Sequence, residues 1–143
     1  MTKTILDRNL HITVYAIWLI TCISLCVLHS RFSDDSFLVF VFMVYPLYAM
    51  AMFKLSVEIY CSYLKKSFPE YYFKYDLDKR RHTRRIYSAA GDCAAEITDE
   101  REKCSEQLVD ISISYADTSE FLIHTWISLF VVLPIFAIIL SKF

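Results

Sequence analysis

A single glycine, Gly91, and three prolines stand in a chain of 143 residues. Walker loops and dinucleotide fingerprints each need several glycines to bring backbone N–H groups onto a phosphate, so both are excluded. The five cysteines (Cys22, Cys26, Cys61, Cys93 and Cys104) contain no Cys-x-x-Cys pair, and no disulfide framework is implied. The four histidines, His11, His29, His82 and His124, are scattered, with no second ligand at metal-binding spacing. A nucleophile needs a positioned base, and no Ser-His or Cys-His pairing can be argued. The expectation is a protein with no metal, no cofactor and no catalytic set, hence not an enzyme. The net charge of −1 gives no global attraction to nucleic acid.

What the chain has in excess is apolar residues, 56% of the total, with a mean hydropathy of +0.38. Soluble domains sit near ~45–50% apolar, and intrinsic disorder requires far less. The excess falls in three blocks, residues 10–28, 36–53 and 121–141, none containing Asp, Glu, Lys or Arg. Crossing a ~30 Å hydrocarbon layer takes about 20 such residues in a helix. Each block therefore reads as a transmembrane helix. The first is too long for a signal-peptide core and lacks a small-residue cleavage site, so it is read as retained.

Lys and Arg in the flanks set the orientation. The N-terminal tail carries Lys3 and Arg8, and residues 29–35 carry Arg31 against Asp34 and Asp35. After the second block come Lys65, Lys66, Lys74, Lys79, Arg80, Arg81, Arg84 and Arg85. The N-terminus and the long loop are thus expected in the cytoplasm, with the C-terminus on the far side. Against three carboxylates, the eight cations give residues 65–85 a net charge of +5, whereas residues 86–120 carry −7.

In the acidic stretch Ala94, Ile97, Arg101, Cys104, Leu108, Ile111 and Tyr115 recur at three- and four-residue steps, which is heptad spacing with one charged defect. The spacing predicts one helix over 92–120 entering the third span directly. A turn near 88–91 would fold the acidic arm antiparallel to the basic one. The predicted fold is an all-α membrane protein: residues 1–64 hold the first two transmembrane helices, 65–120 a charged cytoplasmic helical hairpin, and 121–143 the third transmembrane helix.

The basic residues Lys65, Lys66, Lys79, Arg80, Arg81, Arg84 and Arg85 read either as a solvated face or as a surface for anionic lipid headgroups, and the two are compatible. The run 79–85 lacks interleaved aromatics and adjoins an acidic arm, which argues against nucleic acid. Lys54 and Glu58 lie one turn apart and can meet as a pair. That pair is either a snorkelling lysine with its headgroup-level partner or a polar contact that fixes helix packing or a binding partner. His124 reads as an interfacial histidine. Pro46 and Pro134 interrupt the backbone ladders of their helices and are expected to kink them.

The second block and its exit, with Tyr45-Pro46, Lys54-Leu-Ser-Val-Glu58 and the run Tyr63-Leu64-Lys65-Lys66-Ser67-Phe68, resemble the immunity proteins of the colicin E1 and Ia type. The third block, with Leu133-Pro134 in its middle and Lys142 near its end, is similar to that family too. The likeness covers residues 37–75 and 121–143; the acidic arm looks like an insertion. The resemblance implies a bacterial inner-membrane protein with a periplasmic C-terminus, protecting its host from a pore-forming toxin by contacts inside the bilayer. Pro46, Lys54, Glu58, His124 and Pro134 are the intramembrane partner-contact candidates, and the acidic arm should matter less than the spans. Alternatives are an accessory or regulatory subunit of a bacterial membrane complex and a holin-like pore former. The lipid bilayer and either a membrane-inserted toxin or another membrane protein are the expected partners.

Overall fold

The computed structural model describes residues 2–28 and 35–142, and all regular structure among them is helical. The connection 29–34, with the Arg31 used for orientation, lies outside the described residues. Seven helices follow in order: α1 Thr2–Ile5, α2 Arg8–Leu28, α3 Asp35–Ser67, α4 Pro69–Lys74, α5 Leu77–Arg80, α6 Arg85–Asp99 and α7 Glu106–Lys142. Three of them, α2, α3 and α7, are long and apolar enough to cross a membrane.

Length separates these three. At 1.5 Å per residue, α2 with 21 residues spans about 31 Å, close to one hydrocarbon thickness. With 33 and 37 residues, α3 and α7 run to about 50 and 55 Å. Both exceed one hydrocarbon thickness, and their surplus turns build a second core. Around the apolar blocks, Trp18, Cys22, Tyr45, Ala49, Leu122 and Leu129 form one buried cluster. Beyond it, Tyr60, Leu64, Tyr72, Ala90, Ile97 and Tyr115 belong to another, the core of a helical cap. One stripe on α7 serves both: Leu108, Tyr115, Leu122, Leu129 and Phe136 are all buried at seven-residue intervals. A heptad repeat keeps one seam on one face, so α7 is a single strut through both cores.

The N-terminal segment fixes which end the cap occupies. The Thr118 hydroxyl donates to the Leu6 carbonyl at 2.6 Å, and buried His11 meets the Ile5 carbonyl at 3.0 Å through Nε2 and the Tyr48 hydroxyl at 3.4 Å through Nδ1. The chain's beginning and the cap therefore share one end of the bundle. Deeper, the Trp18 indole N–H donates to the Val41 carbonyl at 3.0 Å, tying α2 to α3 in the turn before Pro46. Pro46 and Pro134 both lie inside continuous helices.

The expected loop organisation is corrected at two points. Gly91 is not in a turn: it lies within α6, and no glycine has positive φ. The predicted helix over 92–120 is instead interrupted, with α6 ending at Asp99 and α7 starting at Glu106. Five consecutive charged residues, 99–103, offer nothing to bury, and the backbone turns there with Lys103 N–H donating to the Glu100 carbonyl at 2.9 Å. The Ser105 hydroxyl then accepts from Leu108 N–H at 3.4 Å, the N-cap arrangement that satisfies a free donor at a helix start. Of the expected heptad, Ala94 and Ile97 sit before this break, Arg101 and Cys104 within it, and Leu108, Ile111 and Tyr115 after it.

The basic arm is likewise not one helix. Phe68 precedes Pro69, and a residue before proline is pushed out of the helical region; it adopts φ −138° and ψ 67°, which ends α3 and leaves Pro69 to open α4. Packing in the cap is mainly apolar rather than basic arm against acidic arm. Helix α6 buries Ile86, Ala89, Ala90, Cys93, Ala94 and Ile97, a mostly small-sided stripe that permits close approach to its neighbours. The Tyr60 and Tyr115 rings stack at 4.5 Å and 4° where α3 meets α7, and the Tyr60 hydroxyl bonds the Ser112 hydroxyl at 2.8 Å. Among the described residues, Lys74–Glu96 is the one ion pair between the arms, and Tyr75 donates to the same Glu96 carboxylate.

Candidate functional site

One face of α3 passes from apolar to charged within three turns. Met43, Pro46, Leu47 and Met50 line a cavity of about 300 Å³ with Phe130 and Leu133 of α7. Toward the cap, Met50 and Trp126 also border a second apolar cavity of about 260 Å³ lined by Ala49, Phe53, Leu122 and Ile123. The next turn of α3 brings Lys54 and Glu58, which line a polar cavity of about 510 Å³ with Arg81, His82, Thr83 and Arg84. Residues 43, 47, 50, 54 and 58 follow one another at three- or four-residue steps, so all five share a stripe of the helix. The Phe53 ring stacks on Tyr87 of α6 at 4.8 Å, which pins the first turn of α6 to the apolar edge.

Glu58 does not take Lys54 as its partner. Its Oε2 accepts from both Nε and Nη2 of Arg81, at 3.0 and 2.8 Å, and the two side chains retain about a third of their exposure. The pairing follows from the turn between α5 and α6, which carries Arg81 back beside α3. Lys54 and Arg84 are exposed and have no carboxylate partner among the described residues.

The other sequence candidates are dispersed. Pro134 is exposed on α7, and the exposed His124 has Nε2 at 3.5 Å from Glu120 Oε1, one turn away. Lys65 and Lys66 are exposed at the end of α3, with the Lys65 ammonium 5.8 Å above the Tyr72 ring. Lys79 and Arg80 are exposed on α5, and Arg85 is exposed at the start of α6. So Pro46, Lys54, Glu58, Arg81 and Arg84 share one face, while the rest do not join it. Sequence reasoning missed Trp126 and Tyr87, whose rings border the groove and the cavity. Trp126 carried a signal as an aromatic one turn inside an apolar block; for Tyr87 there was none.

Among the described residues, no group of three His, Cys, Asp or Glu side chains is placed to hold a metal ion. All five thiols are free. Outside the spans, burial pushes the Cys93 thiol up to about 11, which keeps it protonated near neutrality and makes it a weak nucleophile. The Tyr71 hydroxyl, in hydrogen bond to Cys104 Sγ at 3.3 Å, is pushed up to about 12 by that bond and by burial.

Fold and site together define a class: an all-helical protein with three helices of membrane-spanning length and apolarity and a helical cap at the N-terminal end of the bundle. No family model, curated protein or solved structure matches the chain.

Proposed function

We propose that the protein is a bacterial inner-membrane immunity protein that blocks a pore-forming bacteriocin through helix contacts inside the bilayer. In this reading the N-terminus and the cap are cytoplasmic and the C-terminus is periplasmic, as the basic flanks require. The observation that carries it is the apolar groove between α3 and α7 around Pro46, Met43 and Leu133. Association in lipid depends on close packing and polar contacts rather than hydrophobic exclusion, and a groove rather than a flat face offers the closer packing to an incoming helix. Methionine suits such a surface because its flexible thioether follows an irregular partner.

The test expresses the gene in a sensitive host and challenges it with a panel of pore-forming colicins. Protection against one member, weakened by filling the groove with Leu47→Trp, is the expected result. No protection against any member, with the protein verified in the inner membrane, removes this reading for that panel. The folded cap favours one alternative, an accessory subunit that docks a cytoplasmic protein. Growth arrest on expression alone would instead indicate a holin-like pore former.

A further inference from the structure

We propose that the cavity bounded by Lys54, Arg81, His82, Arg84 and Tyr87 is a discrete binding site for the phosphate of an anionic phospholipid. The first observation is charge. Arg81 is satisfied by Glu58, which leaves that pair close to neutral. Lys54 and Arg84 then face the same cavity of about 510 Å³ with no counter-charge among the described residues. A phosphodiester supplies the missing negative charge and several acceptor oxygens, matched to an ammonium and a guanidinium.

The second observation is depth. Lys54 is the first charged residue after the apolar block that ends at Phe53, which is where headgroups begin. The cavity lies at this level between α3 and the turn that opens α6, where basic groups attract anionic headgroups. The third is continuity. Just before Lys54 on α3, Met50 and Phe53 open onto the apolar cavity shared with Trp126 and Ile123. An amphiphile fits this order, with its phosphate in the charged cavity and its upper acyl chain along Met50 and Trp126. A soluble phosphate would leave the apolar part unused. The first turn of α6, which borders the cavity, holds no acidic residue, and Arg84 at its N-cap makes no side-chain cap bond.

The site is distinct from the surface suggested by the sequence, where all seven cations of the basic arm act alike. Here Lys54 and Arg84 carry the selectivity, while Lys65 and Lys66, outside the cavity, contribute only diffuse attraction. It also lies on the cap side of the groove proposed for the toxin helix, so either assignment can fail alone.

The experiment places the full-length protein in phosphatidylcholine bilayers and measures quenching of its two tryptophans by brominated-chain phosphatidylglycerol and, separately, brominated-chain phosphatidylcholine. Trp126 borders the chain cavity, so preferential occupancy shows as stronger quenching by the anionic lipid. Removing both cations in Lys54→Ala/Arg84→Ala should lower the anionic-over-neutral preference by about thirty-fold at most, from ~1 kcal/mol or about five-fold per cation. Both residues are exposed, so the fold should survive, and an unchanged circular dichroism spectrum checks that. Lys65→Ala/Lys66→Ala removes the same charge and should lower the preference far less. Equal losses in the two double variants would make the attraction diffuse and overturn the site, as would equal quenching by both lipids in the wild type. Displacement of the lipid by millimolar glycerol phosphate would assign the site to a soluble phosphate and overturn the lipid reading.

Discussion

Arg81 places both Nε and Nη2 on a single carboxylate oxygen of Glu58, at 3.0 and 2.8 Å, across 23 residues of sequence. This contact fastens the turn before α6 to the place where α3 leaves its apolar block. It makes Glu58 a structural partner of the cap rather than of Lys54. Breaking it leaves a half-buried guanidinium or carboxylate without its charge partner.

Glu58→Leu should therefore loosen the cap, and Lys54→Met should not. With both side chains about a third exposed, the coupling between Glu58 and Arg81 should be modest, ~0.5–1 kcal/mol in a double-mutant cycle. Thermal unfolding followed by circular dichroism in detergent, with Glu58→Leu, Arg81→Ala and the double variant, measures it. A coupling near zero would mean that the pair adds nothing to cap stability.

Gly91 lies exposed within α6, and a Cβ added there meets nothing within 4 Å. Glycine inside a helix costs ~0.5–1 kcal/mol relative to alanine because its backbone loses more freedom on folding. Gly91→Ala should raise the cap's melting temperature. A turn at this position would give the opposite sign, so one variant distinguishes the two placements.

Deleting residues 92–110 should collapse the cap, whereas the resemblance implies only that this arm matters less than the apolar helices for protection. The segment includes Cys93, Ala94, Ile97 and Leu108, all buried in the cap core. Their loss exposes the aromatic face of α3 and α4. Limited proteolysis should then cut readily between residues 65 and 90, whereas the intact protein resists there.

Cys104 is half-buried and Cys93 fully buried, so a maleimide should label Cys104 first in the folded cap at pH 8. Cys93 should react only on unfolding, since burial holds it up at about 11 from 9.0 and thiolate is the reacting form. The raised folded value also sets a sign. Below pH 9 the thiol is protonated in both states and costs nothing. Between pH 9 and about 11 the unfolded chain loses this proton before the folded one does, so cap stability falls as pH rises. A Cys93→Ala variant should lack that component of the alkaline decline.

The three long apolar helices were legible because each block is long, uncharged and continuous, a signal that needs no knowledge of neighbours. Pro69 offered a local stop signal for α3 through its restriction of Phe68, although the expected helical hairpin ran straight through it. The break at 100–105 was partly legible too. Ser105-Glu106 is a helix-start signal, and residues 99–103 are all charged, but the three- and four-residue spacing runs across both and masks them. Because α6 and α7 each carry an apolar stripe of the same period, two helices imitate one.

The candidate site was less legible. The sequence offered Lys54 and Glu58 as a pair because i,i+4 spacing makes neighbours of them on a helix. Arg81 was visible only as one member of a basic run, with nothing to single it out from Arg80 or Arg84. Its choice of Glu58 depends on where α4 and α5 deliver the chain, including Asp76 at φ 50° between them, and that path is set by how Tyr72 and Leu77 enter the cap core.

By itself the sequence determined the helical class, the three long apolar helices and the uneven charge of their connecting segment. These follow from composition and period, which act along the chain. Only the tertiary structure decided that the extensions of α3 and α7 beyond the apolar blocks share a second core, that Gly91 is helical, and that Arg81 rather than Lys54 answers Glu58. Each of these depends on which surfaces meet after the chain reverses. Apolar burial is non-directional and ion pairing is short-ranged, so neither selects its partner until the packing has brought the groups together.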